Sequence, residues 1–465
     1  MRLTVQVVVE SGDEAPVVRE VFQLERAGLG PDTLGLGLAE AKDLLAAVQA
    51  TMVDEQVNAA LAVQASCPRC GTPRRHKGAH TIVVRTLFGT LRLASPRWHH
   101  CGCGPQPTRT FSPLATVLAG RVTPELVYLE AKFAGLMSYG LTANVLAEVL
   151  PIGRALYASE ARRHTQAVAQ RLEDELGPEQ SSFIEGCPAA WGDLPRPDLP
   201  LTVGLDGGFV HSAHQRSRRD GWFEVIAGKA IPAEGPAKCF GFVQTFDTKA
   251  KRRLFEVLHS QGMQANQQVT FLTDGADDVR DLPLYLNPQA EHLLDWFHIT
   301  MRVTVMAQMA KGMRSVEQPD LAADAAKELE RLKWFLWHGN VFRALQIVGD
   351  LEDDLDVDEP SPEPAKLARA VREFGGYIGA NAGSIPNYGE RHRAGETIST
   401  AFVESTVNQV ISQRMVKRQQ MRWTPRGAHL LLQVRTRILN NELGDDFHRW
   451  YPGFTHTAER HDVAA

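Results

Sequence analysis

Three acidic side chains stand where acids are costly. Asp206 interrupts the apolar run 201–210 (LTVGLDGGFV), and Asp274 closes 269–274 (VTFLTD). A carboxylate in an apolar strand is unfavourable unless it is hydrogen-bonded, at a strand end, or bound to a cation. The glycines after Asp206 leave room for a substrate backbone or a metal to approach. If the two strands lie side by side in one sheet, both carboxylates reach the same edge. They can then share one divalent ion, and a third acid completes a pair of Mg²⁺ (or Mn²⁺) ions. Glu404, in 401–410 (AFVESTVNQV), is that third candidate, on a helix face shared with Asn408 and Ile411/Ser412. Any one of these acids alone reads equally well as a turn, cap or solvated residue. Asp295 and His298 (DWFH) add an acid and an imidazole one helical turn or strand pleat apart, while Asp277, Asp278 and Asp281 read as a solvated helix start.

Cysteines make a second constellation. Cys67-Pro-Arg-Cys70 is followed by Gly71, and Cys101-Gly-Cys103 comes thirty residues later. Four thiolates on two turns give closed, tetrahedral Zn²⁺ coordination, a structural site. The second pair departs from the usual two-residue spacing, which leaves His99 or His100 as substitutes for one sulfur. Reduced, unliganded thiols and a Cys67/Cys70 redox pair are the competing readings. Arg69, Arg74, Arg75, His76 and Lys77 beside the first pair suit a phosphate backbone or a solvated loop. From Ile411 to Arg437 there are seven bases and no acid: Arg414, Lys417, Arg418, Arg422, Arg426, Arg435 and Arg437. Arg414 and Arg418 fall at i, i+4 with Trp423 near, an arrangement that could hold a phosphodiester or simply face solvent.

The elements that must position these residues follow from periodicity. Alternating runs at 3–9 and 17–23 flank a polar turn, which predicts a hairpin; 38–65 then carries apolar residues at helical spacing. Residues 81–94 form a second hairpin around Phe88-Gly89, bracketed by the cysteine pairs. Residues 124–175 are helical, broken at Pro151-Ile-Gly153, and the run after the break carries Arg162 and Arg163. That is compatible with a helix-turn-helix unit or with a plain helical hairpin. Strand-like runs follow at 201–210, 222–231, 238–246, 269–275 and 290–299, with a helix at 248–261 after the third. Three strands, a helix and two more strands is the order of an RNase H-like α/β fold. Residues 300–395 read as helical around an acidic stretch, and two last helices, 402–420 and 424–441, precede a polar tail expected to be disordered after Gly453.

These residues resemble the DDE transposases of bacterial insertion sequences, in the branch related to Mutator-like elements, and within it the ISKra group. Four blocks carry the likeness: Gly204-Leu-Asp-Gly-Gly208, Leu272-Thr-Asp-Gly-Ala276, Leu294-Asp-Trp-Phe-His298, and Phe402-Val-Glu-Ser-Thr-Val-Asn-Gln409 running on to Arg414-Met415 and Met421-Arg-Trp423. The resemblance implies catalytic, Mg²⁺-binding Asp206, Asp274 and Glu404, with Asp295 and His298 as accessory active-site residues. It implies a helical insertion in the 129 residues between Asp274 and Glu404. It also implies cleavage at the element's ends and strand transfer into target DNA. Two ends must be held together, so a homodimer or higher assembly on DNA is expected. DNA contacts are expected from Arg414, Lys417, Arg418, Arg422, Arg426, Arg162 and Arg163. The alternatives are an RNase H-like metal-dependent nuclease that cuts without joining and an inert, domesticated DNA-binding protein.

The resulting organisation is a hairpin and helix (1–65), a zinc-ribbon module (66–112), a helical DNA-end-binding region (113–184) and a linker (185–200). The α/β RNase H-like core (201–299 and 396–445) is split by an all-α insertion (300–395), and a tail (446–465) ends the chain. Composition fits this plan. The chain has 465 residues, 43% of them hydrophobic, enough for several cores and too many for global disorder. Its net charge of −5 excludes a simple polybasic binder, but residues 350–364 carry eight acids and no base, which leaves +3 elsewhere. Six cysteines are too few for a disulfide scaffold at this length. With no membrane-length apolar run and an N-terminus that turns acidic early, the expectation is a cytoplasmic protein of the bacterial nucleoid with reduced thiols.

Overall fold

The computed structural model describes residues 1–10, 15–104, 109–118, 120–153, 156–195, 200–213, 221–276, 282–313, 319–355, 362–416 and 421–455. The chain is mixed α/β and divides into two units, residues 1–168 with 441–465, and residues 169–440. Among the described residues no helix is long and apolar enough to cross a membrane.

The first unit opens with the antiparallel hairpin β1 (Arg2–Val9) and β2 (Val17–Glu25), then the long helix α1 (Leu38–Gln64). Strands β3 (His76–Thr86) and β4 (Gly89–His99) are longer than the alternation at 81–94 alone predicts, and β4 also pairs the short β5 (Thr110–Phe111). Alternation buries Ile82, Val84 and Leu93 on one face, where Val53, Val57 and Leu61 of α1 cover them. Helices α2 (Pro113–Val117), α3 (Pro124–Leu136), α4 (Tyr139–Val149) and α5 (Ala158–Glu175) follow. The C-terminal segment departs from the expected tail. Residues Leu443–Trp450 are helical, and Phe447 and Phe454 are buried edge-on against Tyr128 at 5.3 and 5.2 Å. Two apolar rings in an otherwise polar stretch anchor it; residues 456–465 lie outside the described set.

The boundary between the units falls within α5, not at 185–200, because buried charges and rings hold residues 173–183 in the second unit. Arg253 donates to Asp247 at 2.9 Å and to Glu173 at 3.0 Å, and Phe183 stacks on Phe255. A short helix α6 (Pro188–Gly192) lies in the proline-rich stretch. The sheet of this unit comprises β6 (Leu201–His211), β7 (Trp222–Pro232), β8 (Lys238–Val243), β9 (Val269–Thr273) and β10 (Ala290–Leu294), in the order β10-β9-β6-β7-β8. β6, β7 and β8 form an antiparallel meander, and after helix α7 (Ala250–Ser260) the chain returns to pair β9 and β10 parallel to β6. β9 is buried along its whole length, as a strand flanked by two others and covered on both faces must be. The run 290–299 is not all strand: β10 stops at Leu294, and helix α8 (Trp296–Met313) begins two residues later.

Helices α8, α9 (Pro319–Trp337), α10 (Val341–Leu355) and α11 (Pro362–Ala380) share a core of their own, including Val303, Met306, Leu332, Ile347, Leu351 and Phe374. Helix α12 (Tyr388–Arg393) and then α13 (Ala401–Val407) return the chain to the sheet. From Asn408 to Val416 the helix is wound as a π-helix, and Arg418, the partner in the i, i+4 reading with Arg414, lies outside the described residues. Helix α14 (Pro425–Leu439) packs on β8, where Asn440 both accepts from the Cys239 N–H and donates to its carbonyl.

Arg253 is the buried ionic centre of this unit. It pairs Asp247 and Glu173 and donates to Gln433 at 2.7 Å, with His429 also against Glu173 at 3.4 Å. Burial works against the Glu173 charge, but His429 and Arg253 outweigh it and hold the carboxyl down to about 2. A folded-state value below the unfolded one stabilises above pH ~4.5 and is lost as pH falls towards 2, a contribution of roughly 3 kcal/mol. In denaturant titrations from pH 7 to pH 2, Glu173→Gln is therefore expected to lower stability at pH 7 and to flatten the acid limb. An unchanged acid limb would contradict the assignment.

Candidate active site and metal centre

The sheet register assembles the acids. Gly204 pairs Leu272 across β6 and β9; carried two residues further, the same register sets Asp206 level with Asp274. Leu294 pairs Thr273 across β10 and β9, and one residue further sets Asp295 level with Asp274. Three aspartates thus form one row across three adjacent parallel strands, Asp274 and Asp295 just past the ends of β9 and β10 and Asp206 within the longer β6, toward the carboxyl ends where open α/β sheets place their sites.

Glycines decide how close the third acid comes. Residues 201, 203 and 205 face the core shared with Leu254 and Leu258 of α7. Alternation turns Gly204, Asp206 and Gly208 to the other face, and α13 lies on it. A Cβ on Gly204 would stand 2.1 Å from Val403, and one on Gly208 3.0 Å from Ile411. Gly204 and Gly208 therefore admit the helix that carries Glu404, not a substrate backbone; a Cβ on Gly207 would stand 2.5 Å from the Glu224 carboxylate. Glu404 is exposed, whereas Asp206 and Asp274 are half-buried.

The electrostatics tie the four groups together. Burial raises the Asp206 carboxyl above the usual range; His298 opposes the rise, as does the Gly207 N–H at 2.8 Å, and the charges of Asp274 and Glu404 add to it. The acids share one neighbourhood without closing on a common point: Asp206, Asp274 and Glu404 are not among the groups of described residues whose ligand atoms lie within 4.8 Å of one another. Asp295 sits differently. It is fully buried, and it accepts from Phe297 N–H at 2.9 Å, from Thr400 N–H at 3.0 Å and from the Thr400 hydroxyl. Its oxygens are committed to structure, so it is a positioning residue. His298 Nε2 lies 3.6 Å from Asp295 Oδ2, buried and without a hydrogen-bond partner among the described residues.

Sequence reasoning missed the supports. Tyr377 of α11 donates to the Asp274 carbonyl at 2.9 Å, and Tyr388 of α12 to the Leu294 carbonyl at 2.6 Å. Burial, above all, keeps both phenols protonated. Gly275 has φ +85°, and a Cβ there would also meet Asn381 at 2.8 Å. No periodic signal marks a lone tyrosine a hundred residues away as a partner of a strand end.

The basic run divides. Arg414 is wholly buried, over the Trp423 ring at 5.3 Å and donating to Met421 Sδ at 3.8 Å. This corrects its reading as a DNA contact: Trp423 pairs back to the end of β6, and the arginine packs beneath that return. Arg435 is also buried, donating to the Val410 carbonyl at 2.8 Å, and burial and Arg414 lower its pKa to about 10. Arg422, Arg426, Arg162 and Arg163 are exposed. Lys417 and Arg418 lie outside the described residues.

In the first unit the cysteine pairs meet. Cys67 and Cys103 sulfurs are 3.6 Å apart, Cys70 and Cys101 sulfurs 3.4 Å, and all four lie within 4.8 Å of one another. Sulfurs bound to zinc at ~2.3 Å sit about 3.8 Å apart in a tetrahedron, so the cluster could hold the ion with little movement. Hydrogen bonding between Cys70 and Thr72 lowers the Cys70 thiol to about 6, while the bonds shared with Cys101, Cys67 and Cys70 push Cys103 up to about 12. Histidine does not enter the cluster: His100 stacks on Phe111 at 4.8 Å, and the His99 N–H donates to the Arg75 carbonyl. Arg69 donates to the Cys103 carbonyl at 3.0 Å and Arg74 to that of Gln64 at 3.1 Å, so both brace the knuckles. A further acidic group, Glu173, Asp247 and His429, already encloses the Arg253 guanidinium, which stands where a cation would.

Two outcomes follow. Metal analysis of the purified chain is expected to find one zinc per chain, and Cys67→Ser to lose it together with thermal stability; absence of zinc in the unmutated chain would exclude the site. Gly204→Ala is expected to lift α13 from the sheet and to cost about 1–3 kcal/mol by overpacking, read by denaturant unfolding. A neutral result would mean that the helix does not seat as described.

Neither protein-family models nor curated proteins compared with the chain match it.

Proposed function

We propose that the chain is a DDE-type transposase with an RNase H-like core, a metal-dependent DNA phosphodiester transferase. The observation that carries the reading is the sheet register, which brings the half-buried Asp206 of β6 level with Asp274 past the end of β9, with Glu404 and His298 near enough to act on the Asp206 charge. The strand order, an antiparallel meander followed by two parallel strands, supports the core assignment, and the helices between β10 and Glu404 suit the implied insertion.

Asp206, Asp274 and Glu404 would hold two Mg²⁺ or Mn²⁺ ions, which when bound would activate water and stabilise the leaving 3′-oxygen. The chain's own residues do the rest. Asp295 and the two tyrosines fix the strand ends, so the acids are held before substrate arrives. His298, whose buried Nε2 faces Asp295 at 3.6 Å and has no hydrogen-bond partner among the described residues, would orient a water or a phosphate oxygen once the site is occupied. Arg422 and Arg426 offer exposed charge after the π-helical turn, and Arg162 and Arg163 do so in the first unit, for the phosphate backbone. The zinc module and the α4–α5 region would read the element's ends, with two copies of the chain on the DNA.

The test is strand transfer with purified protein, a donor end, target DNA and Mg²⁺. The expected result is joined product, with cleavage and joining both reduced at least ~100-fold in Asp206→Asn and Glu404→Gln. Cleavage without joining would identify a nuclease, binding without either an inert DNA-binding protein. Full activity in the variants would overturn the site.

A further inference from the structure

The N-terminal hairpin is underpacked in a single chain. β1 pairs only β2, its outer edge is unpaired among the described residues, and Leu3, Val5 and Val8 are 46, 36 and 55% exposed. None of the 27 residues of α1 is buried. An isolated two-stranded ribbon is marginal in water, and an open, Val-rich edge is a template for another strand.

The residues of β1 indicate which strand. The segment 2–10 (RLTVQVVVE) places Leu3, Val5, Val7 and Val9 on one face and Arg2, Thr4, Gln6, Val8 and Glu10 on the other. Two such strands paired antiparallel and centred on Gln6 keep like face with like face. Leu3 then meets the partner's Val9 and Val5 the partner's Val7, extending the apolar face across both copies. Arg2 meets the partner's Glu10 at each end, and Gln6 meets the partner's Gln6. Shifting by one residue would set apolar side chains against polar ones, and shifting by two would leave Glu10 unmatched. Arg2 already lies 3.9 Å from Glu25 of its own chain, and a guanidinium has donors enough for a second carboxylate. β2 is the poorer edge: Arg19 pairs Glu55 at 2.6 Å on α1, and centring on its middle would set Val17 against the partner's Glu25.

We propose that a second copy of this chain adds to β1, giving a four-stranded antiparallel sheet across a two-fold axis and a dimer that exists without DNA. The inference stands apart from the transposase reading, since it uses neither the acids nor the zinc cluster. The experiment is sedimentation equilibrium of the full chain without DNA, together with mild oxidation of cysteine variants. A dimer is expected, with its dissociation constant raised at least about tenfold in Val5→Lys, which corresponds to ~1.4 kcal/mol. Gln6→Cys is expected to form a covalent dimer above the background of the unmutated chain, and Thr4→Cys, which would face the partner's Val8, is not. Circular dichroism and zinc content report that the variants still fold. A monomer, a dimer indifferent to Val5→Lys, or equal cross-linking of both cysteine variants would each overturn the proposal.

Discussion

The buried carboxylate of Asp295 is the constraint on which the acidic site depends. Its N–H donates to the Thr273 carbonyl, tying β10 to β9 one residue before Asp274. Its oxygens accept from Phe297, at the start of α8, and from Thr400, at the start of α13. One residue thereby fixes, through its backbone N–H, the end of the sheet and, through its carboxylate, the beginning of the helical segment and the approach of the helix that bears Glu404. A carboxylate with no exposed surface is tolerated only with this full complement of donors; removing them would leave a buried charge without compensation.

The helices between β10 and Glu404 have a separate core, yet they are joined to the row of acids by two phenols. Tyr377 and Tyr388 donate to the carbonyls of Asp274 and Leu294, at the ends of β9 and β10. The helical segment is thus part of the site's support as well as a span of chain between two acids. Glycine does the complementary work on the sheet, where Gly204 and Gly208 let α13 rest directly on β6 on either side of Asp206.

Charge placement also changes meaning in three dimensions. The run from Arg414 to Arg437 reads as one basic surface, but Arg414 and Arg435 are interior, one over Trp423 and the other on backbone carbonyls of the π-helical turn. Arg435 donates to the Gln409 and Val410 carbonyls, which offsets the cost of burying its charge and holds the π-helical segment in place. Exposed Arg422 and Arg426 are left to act outward.

Much was legible in the sequence because it rests on local rules. Apolar runs broken by Asp206 and Asp274, the cysteine spacings, the strand order and the helical texture of 300–395 all follow from period, turn residues and the cost of a misplaced charge. The strand and helix junction at Asp295 was ambiguous, since an apolar run suits either element until its hydrogen-bond partners are known. Only the tertiary structure decided which arginines are buried, that all four cysteines and no histidine form the cluster, and that Asp295 positions neighbouring elements. Each of these depends on contacts between residues far apart in the chain, which local periodicity does not encode. The sequence by itself determined which residue types could do chemistry; the sheet register and the close approach of α13 determined which of them meet.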